Sequence, residues 1–306
     1  MLKLRQSEFS PGILAFGLSL ALTLTQPLLA KSDSRIACPP YESIEQEIVQ
    51  LAEEFPDWVD HIRYGSSNEG RELHLLRLAK KGLASAPGAV RQAVYIDGVI
   101  HGNEYLHIED RLPRYFLENR ETLPQLKTFL DQGGVVYMVP IFNPDGYAAH
   151  QRGNANGKDL NRDFPLLIKN HQGLHEIETQ DFVAYLEEDL RRDNRKLALS
   201  MNYHCCDGSL LEPWSVNGFE LPPTDLAAHQ VIGELVRKIL GTEYRVGKTS
   251  DILATTHAGT AKDYFYEHHH ALAFTFEGLR ASEDRNFSKH VQLWERIFAV
   301  LNHPQP

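Results

Sequence analysis

The sequence predicts a single α/β domain whose mixed, mostly parallel sheet is covered by helices on both faces. Short apolar segments of the kind that a sheet buries alternate with helical patterns along most of the chain. No segment rich in Pro, Ser or Gly divides the chain between residues 40 and 302, so we expect one domain over residues 41–302. The whole chain has 306 residues, and such a domain can bury a sizeable core.

The predicted helices and strands follow one another in a regular order. Residues 41–58 carry apolar side chains at helical spacing, and residues 72–79 alternate as a strand does. The other predicted elements are strands at 94–100, 134–142, 197–203 and 271–277, helices from about 104 to 119, 178–192, 225–240 and 288–301, and a Gly- and Asn-rich loop at 143–165. This alternation favours parallel pairing of the strands.

The N-terminus has the pattern of a secretory signal peptide, predicted over residues 1–30. Positive residues precede an apolar segment at 12–24, and small residues lead to a possible cleavage site after Ala30. The apolar segment is shorter than the roughly 20 residues that span a bilayer, which favours cleavage over an uncleaved anchor. We therefore expect an exported protein, periplasmic or extracellular, with a short N-terminal segment at 31–40 and no stable membrane partner after cleavage.

The charge of the chain argues against one class of partner. The formal net charge is −10 at pH 7. Nucleic acids and anionic membranes both require a basic surface, so neither is an expected partner.

Three cysteines are too few for a disulfide scaffold. They are Cys38, Cys205 and Cys206. In an oxidising compartment, Cys38 could form a bridge with either member of the pair. Three unbridged, partly buried side chains are the alternative.

Three of the predicted strands end in residues that can bind a metal or move a proton. His101 and Glu104 follow one strand. His204 follows a second, and Glu277 ends a third. Ligands of open α/β sheets bind outside the carboxyl ends of the strands, and two imidazoles with one carboxylate are typical of catalytic zinc sites. For each residue alone, a structural or solvated side chain at a strand end is the alternative.

Several short motifs, taken in order, resemble the zinc carboxypeptidase family, the carboxypeptidase A/B-like metallopeptidases. The motifs are HGNE, NPDGY, GKDLNRDFP, NYH, GTAKDYFY and FTFEG, and the general pattern extends from about Tyr41 to Leu301. The resemblance implies one zinc ion per chain at the C-terminal ends of the strands, with His101, Glu104 and His204 as ligands. It also implies that a zinc-activated water attacks the peptide bond, with Glu277 as general base and acid.

The same resemblance implies roles for residues around the zinc. Asn161 and Arg162 match the pair that binds the terminal carboxylate of the substrate, for which a planar guanidinium is well suited. Arg152 stands where a second arginine stabilises the oxyanion, with a surface charge in a loop as the alternative. Asp159 matches an aspartate that orients the first zinc histidine.

Lys262 occupies the position that lines the base of the specificity pocket in the family. An ammonium there would favour acidic C-terminal side chains by charge pairing. The alternative is a lysine that extends into solvent.

The sequence departs from the family pattern at some positions. Thr255 stands near the place of a mobile tyrosine. His257 is expected to be a peripheral loop histidine, with a donor that replaces the tyrosine as the alternative. Asn103 replaces an arginine that contacts substrate in the digestive enzymes. The EHHH segment at 267–270 is expected in a solvent-facing turn, because consecutive residues cannot all converge on one ion.

Three functions fit these observations. The first is an exported zinc metallocarboxypeptidase that hydrolyses the C-terminal peptide bond, with a preference for acidic residues if Lys262 lines the pocket. The second is a murein-peptide amidase that cleaves an isopeptide bond between D-Glu and a diamino acid. Both would bind a peptide or murein peptide with a free carboxylate. The third is a non-catalytic zinc-binding module, which the complete set of site residues argues against.

Overall fold

The computed structural model describes residues 38–83, 89–279 and 285–303. The signal peptide predicted at 1–30 and most of the segment at 31–40 lie outside this range. The strands of the described chain are β1 (Val59–Ser66), β2 (Glu72–Leu78), β3 (Arg91–Gly98), β4 (Val135–Val139), β5 (Arg195–Cys205), β6 (Ser209–Glu212), β7 (Arg245–Lys248) and β8 (Leu272–Gly278).

These strands form one sheet in the order β1-β2-β4-β3-β5-β8-β6-β7. The central strands β4, β3, β5 and β8 are parallel to one another, as are β6 and β7. Antiparallel pairing joins β1 to β2, β2 to β4 and β6 to β8. The prediction of a mixed, mostly parallel sheet is confirmed.

Helices cover both faces of this sheet. The described helices are α1 (Tyr41–Glu54), α2 (Arg111–Asn119), α3 (Pro124–Asp131), α4 (Pro144–Ala148), α5 (Ile177–Arg192), α6 (Pro223–Ile239), α7 (Thr249–Leu253), α8 (Ala261–His269) and α9 (Phe287–Asn302). Along β3, Val94 and Ile96 face the apolar cluster under α1, α2, α3, α6 and α9. Ala93 and Tyr95 face a second cluster under α5 and α8. Because successive strand residues point to opposite faces, the apolar residues 93–96 of β3 are buried on both sides of the sheet.

The helix predicted from about 104 begins later than expected, at Arg111. The carboxylate of Glu109 accepts the backbone N–H groups of Leu106 (3.1 Å) and Ile108 (3.0 Å). These side-chain bonds replace the helical bonds of that segment, so residues 104–110 stay irregular. The irregular segment leaves Glu104 at the carboxyl end of β3.

Other differences concern short elements. No separate strand was predicted for β1, β6 or β7, which lie at or near the two edges of the sheet. Glu267, His268 and His269 form the last turn of α8 rather than a loop, so that part of the prediction for EHHH was wrong. In the part of the chain that the structure describes, no helix has the length and apolar character needed to cross a bilayer.

Candidate active site

The carboxyl ends of β3 and β5 bring three potential metal ligands together. His101 Nδ1 lies 2.9 Å from Glu104 Oε2, and His204 Nδ1 lies 3.0 Å from the same oxygen. The two Nδ1 atoms are 3.1 Å apart. Ligand atoms about 2.1 Å from a tetrahedral zinc ion stand about 3.4 Å from one another, so a small outward movement accommodates the metal. The three residues fit a zinc ion with one coordination position open.

Close backbone packing fixes the first two ligands. A Cβ atom at position 102 would lie 2.0 Å from the carbonyl carbon of Gly146, which explains the glycine between His101 and Asn103. The backbone N–H of Gly102 donates to the carbonyl of Arg152 at 3.3 Å. The loop at 143–165 therefore buttresses the segment that carries the ligands.

Asp159 orients His101. The Nε2–H of His101 donates to Asp159 Oδ1 at 2.9 Å, which leaves Nδ1 directed at the metal position. Burial alone would raise the pKa of the Asp159 carboxyl, but His101 and two nearby arginines outweigh it and hold the pKa well below its usual range. Asp159 is therefore ionised at neutral pH, as this role requires.

The same electrostatic balance applies to Glu104. Burial would raise its pKa, whereas the hydrogen bonds and charges of His101 and His204 lower it far below the usual range. Its second oxygen, Oε1, accepts a hydrogen bond from Arg152 Nη1 at 2.9 Å. The guanidinium of Arg152 also donates to Asp159 Oδ2 from Nε (3.1 Å) and Nη2 (3.0 Å). Arg152 thus lies beside the metal position, and its side chain is 46% exposed.

Glu277 lies across the sheet from His204. The two residues are register partners in the parallel pair β5–β8, and both line a cavity of about 320 Å³. Burial raises the pKa of the Glu277 carboxyl against the lowering influence of His204, and the charge of Glu104 raises it further. A carboxyl with a raised pKa can both accept and return a proton near neutral pH.

Asn161 and Arg162 line the same cavity. The Asn161 side chain is held by its oxygen, which accepts the backbone N–H of Ala261 at 2.9 Å. Its Nδ2 lies 3.4 Å from His204 Nε2. Arg162 uses Nη1 to donate to the Asn161 carbonyl at 2.7 Å, and the remaining donors of its guanidinium are available to a substrate. Burial lowers the pKa of Arg162, opposed by the charge of Asp159.

Lys262 lies at the floor of the cavity and does not extend into solvent. Its side chain is 1% exposed, and Nζ donates to Asp263 Oδ1 at 3.0 Å and to Ser215 Oγ. Burial lowers the pKa of the Lys262 ammonium, while the Asp263 carboxylate opposes this change. Asp263 also accepts the backbone N–H of Ser215 at 2.8 and 3.1 Å. The ammonium is therefore held in place by two partners, with a third N–H remaining.

Comparison with known proteins shows which family this chain resembles. A family model described as zinc carboxypeptidase matches residues 44–293. The chain belongs to the zinc carboxypeptidase family. It is 23% identical to mouse carboxypeptidase A4 over 272 residues, which cover 78% of this chain and 61% of that protein. It is 32% identical to human carboxypeptidase D over 136 residues, which cover 41% of this chain and 10% of that protein. This zinc carboxypeptidase chain thus spans less than two thirds of the length of these relatives.

Solved structures of carboxypeptidases share the fold. Bovine thrombin-activatable fibrinolysis inhibitor, in complex with tick carboxypeptidase inhibitor, superimposes with a TM-score of 0.69 at 19% identity, covering 86% of this chain and 97% of that one. Carboxypeptidase A from Helicoverpa armigera gives a TM-score of 0.64 at 20% identity, covering 89% and 77%. The zinc carboxypeptidase fold is therefore retained at low sequence identity.

His257 is a part of the site that sequence reasoning placed wrongly. It lines the cavity with Thr255, and its backbone N–H donates to the Ser215 carbonyl at 2.8 Å. Burial lowers the pKa of the imidazole, and the charge of Arg162 lowers it further. The expectation of a peripheral position failed because this long-range backbone bond leaves no pattern in the sequence.

The cysteines also differ from the prediction. The side chains of Cys205 and Cys206 lie against each other, and both residues line the cavity. Cys38 is exposed and forms a bridge with neither of them. Both members of the pair can line the cavity because β5 ends at Cys205, after which the chain turns.

The EHHH residues contact separate partners. Glu267 accepts the backbone N–H groups of Leu167 (2.7 Å) and Ile168 (2.9 Å). His269 Nε2 lies 2.8 Å from Glu187 Oε1. The segment therefore joins α8 to neighbouring elements and does not assemble around one ion.

Proposed function

We propose that this chain is an exported zinc metallocarboxypeptidase that hydrolyses the C-terminal peptide bond, with residues 41–302 as its catalytic domain. The observation that carries the proposal is the convergence of His101, Glu104 and His204 in one cavity with Glu277 and Arg162. Membership of the zinc carboxypeptidase family supports the same chemistry.

The chemical step requires a metal, a base and an acid. When bound, zinc acts as a Lewis acid and lowers the pKa of water towards neutrality. Glu277 accepts the proton of the attacking water and returns it to the leaving amine. Burial raises the pKa of this carboxyl, which supports its role in taking up and returning the proton. Arg152 stabilises the negative charge that develops on the scissile carbonyl oxygen, and its exposed position beside Glu104 supports this role.

Recognition of the terminal carboxylate explains why the enzyme would act at chain ends. Arg162 and Asn161 are the proposed binding pair. The guanidinium of Arg162 is half-buried, and several of its N–H groups lack protein partners, so it can donate two parallel hydrogen bonds to a carboxylate. A substrate without a free carboxylate would not form these two hydrogen bonds.

The pocket floor favours acidic C-terminal side chains in this proposal. The Lys262 ammonium is buried, and its third N–H can donate to a substrate carboxylate. Asp263 offsets part of its charge, so the preference is expected to be moderate rather than absolute.

The proposal that the protein is exported rests on the N-terminal sequence pattern alone. An exported enzyme would act in a periplasm or outside the cell. The carboxypeptidase relatives give no support to the murein-peptide alternative. That alternative is retained only as an outcome of the experiment below.

The test is a mass-spectrometric digest of peptides ending in every residue type, together with a murein tripeptide containing a D-Glu isopeptide bond. Release of single C-terminal residues that stops when a zinc chelator is added supports the proposal. Cleavage of the murein peptide alone replaces it with the amidase, and no cleavage in the presence of zinc indicates a binding module.

Glu277→Gln separates the base from the metal. This variant should bind zinc normally while kcat falls by about 10²–10⁴-fold, because the amide cannot accept the proton. Glu234→Gln removes a carboxylate on the surface of α6 and serves as the matched control. Normal turnover by Glu277→Gln would refute the assigned role.

A further inference from the structure

A second group of potential metal ligands lies between α1 and the edge of the sheet. We refer to Glu45, Glu72 and His74 as the α1–β2 cluster. Their ligand atoms all lie within 4.8 Å of one another, which among the described residues is a property shared only with His101, Glu104 and His204. None of the three cluster residues lines the active-site cavity.

The backbone brings these side chains together from two elements. Glu72 and His74 are two residues apart on β2 and therefore point to the same face of the sheet. α1 covers that face and contributes Glu45. The hydroxyl of Tyr41, at the start of α1, donates to the Glu72 carbonyl at 2.6 Å and holds the helix in place over the strand.

The distances suit a tetrahedral ion. His74 Nε2 lies 2.9 Å from Glu45 Oε1 and 3.9 Å from Glu72 Oε2. These separations lie on either side of the roughly 3.4 Å expected between two ligand atoms of a tetrahedral zinc ion. Small side-chain movements are therefore sufficient to complete the coordination.

A second histidine can orient the first. His61 Nε2 lies 2.7 Å from His74 Nδ1, so one ring donates to the other. If His74 Nδ1–H donates, the Nε2 lone pair of His74 points at the two carboxylates. That arrangement places acceptors against one another and is favourable only with a cation between them. If His61 donates instead, His74 Nε2–H bonds Glu45. The pair can thus serve both the metal-bound and the metal-free state.

Burial and charge also favour a divalent metal. The His74 side chain is 2% exposed, whereas those of Glu45 and Glu72 are 31% and 37% exposed, so an ion can reach the cluster from solvent. Arg63 donates to Glu72 Oε2 at 2.8 Å, but its side chain is 58% exposed and Glu72 has a second oxygen. Two carboxylates and a neutral imidazole balance the charge of a divalent ion, and the imidazole favours zinc over calcium or magnesium.

We propose that Glu45, Glu72 and His74 bind a second zinc ion that fastens α1 to β2, with His61 accepting the Nδ1–H of His74. A water molecule completes the coordination. The site is structural, is separate from the catalytic cavity and does not depend on the proposed function. It adds to the single zinc ion per chain that the family resemblance implies.

Zinc stoichiometry tests the proposal. The full chain and its variants are dialysed against one zinc buffer, and metal and protein are measured by plasma mass spectrometry and amino-acid analysis. We expect two zinc ions per chain in the wild type and one in His74→Gln and in Glu45→Gln. Glu42→Gln, which removes an exposed carboxylate from the same helix, is the matched control and should retain two.

Variants of the catalytic ligands distinguish the two sites. Glu104→Gln should retain the second ion, and the double variant Glu104→Gln/His74→Gln should bind none. His61→Gln should weaken the second site about 10- to 100-fold, as loss of a partner that orients a metal-bound histidine does. A single zinc ion that Glu104→Gln loses and His74→Gln retains would overturn the proposal, and so would two ions in both His74→Gln and Glu45→Gln. Because Glu45 is partly exposed, its variant remains informative if His74→Gln does not fold.

Discussion

Replacing Lys262 with Met tests whether the floor of the cavity selects the C-terminal side chain. Methionine has nearly the length of lysine but no charge, so it removes the ammonium while filling most of the same space. Asp263 keeps its two contacts with the Ser215 backbone N–H after the replacement. The Asp263 carboxylate therefore stays hydrogen-bonded in the variant, although it loses its contact with the ammonium. We expect the free energy of unfolding to fall by about 1–3 kcal/mol.

The expected change in specificity follows from the contacts of the ammonium. Two of the three Lys262 N–H groups are used by Ser215 and Asp263, which leaves one for a substrate carboxylate. One hydrogen bond to a charged group contributes about 1.5–3 kcal/mol. Loss of that bond should reduce kcat/KM for a C-terminal Glu by about 10- to 150-fold. Hydrolysis of a peptide ending in Leu should not fall and should rise if the pocket becomes apolar.

The assay compares two peptides that differ only in a C-terminal Glu or Leu, and it reports the ratio of their kcat/KM values. Lys248→Met is the matched control, since Lys248 pairs with Glu220 outside the cavity. Because burial lowers the pKa of Lys262, the wild-type ratio should fall with rising pH before the usual range of lysine is reached. An unchanged Glu-to-Leu ratio in Lys262→Met would refute this account of the pocket.

Two further predictions concern the metal site and the segment beside it. Asp159→Asn should weaken zinc binding about 10- to 100-fold, because His101 loses the carboxylate that orients it. Competition with a chelator measures the affinity, and a zinc affinity equal to that of the wild type would refute the role of Asp159. Burial and the charge of Asp110 raise the pKa of Glu109 from 4.5 to about 8. The folded protein therefore holds this proton more tightly than the unfolded chain does, and the resulting stabilisation is complete below pH 4.5. As the pH rises to 8 the stabilisation is lost, and the free energy of unfolding falls by about 5 kcal/mol. Glu109→Gln should flatten that part of the profile in denaturant titrations, and an unaltered slope would show that another group is responsible.

Much of the fold and site could be predicted because the relevant information is local. Apolar strands of four to eight residues are recognisable wherever both faces of a sheet are buried, as along β3 and β5. Parallel strands place their carboxyl ends at one edge, so His101, His204 and Glu277 could be grouped without knowledge of tertiary structure. The motif resemblance added Asp159, whose contact with His101 joins residues 58 positions apart.

The features that sequence reasoning missed depend on contacts between distant segments. The start of α2 is delayed by bonds from the Glu109 side chain, although the sequence has helical periodicity there. His257 enters the cavity through a backbone bond to Ser215, 42 positions earlier in the chain. The short edge strand β7 carries Gly247 at a positive φ of 155° and alternates poorly, so no period-2 signal marks it.

The proposed catalytic residues and the proposed specificity residue are held by different parts of the fold. Glu277 stands opposite His204 because β5 and β8 pair in parallel register, and a slip of one residue would turn the carboxylate to the other face of the sheet. A substitution that preserves this register keeps the backbones of Glu277 and His204 side by side. Lys262 instead belongs to the first turn of α8, and its contacts run to Ser215 in the segment after β6. Changes at the pocket floor can therefore alter substrate preference without moving the residues proposed to carry out hydrolysis. This independence is the reason to expect Lys262→Met to change specificity while retaining turnover.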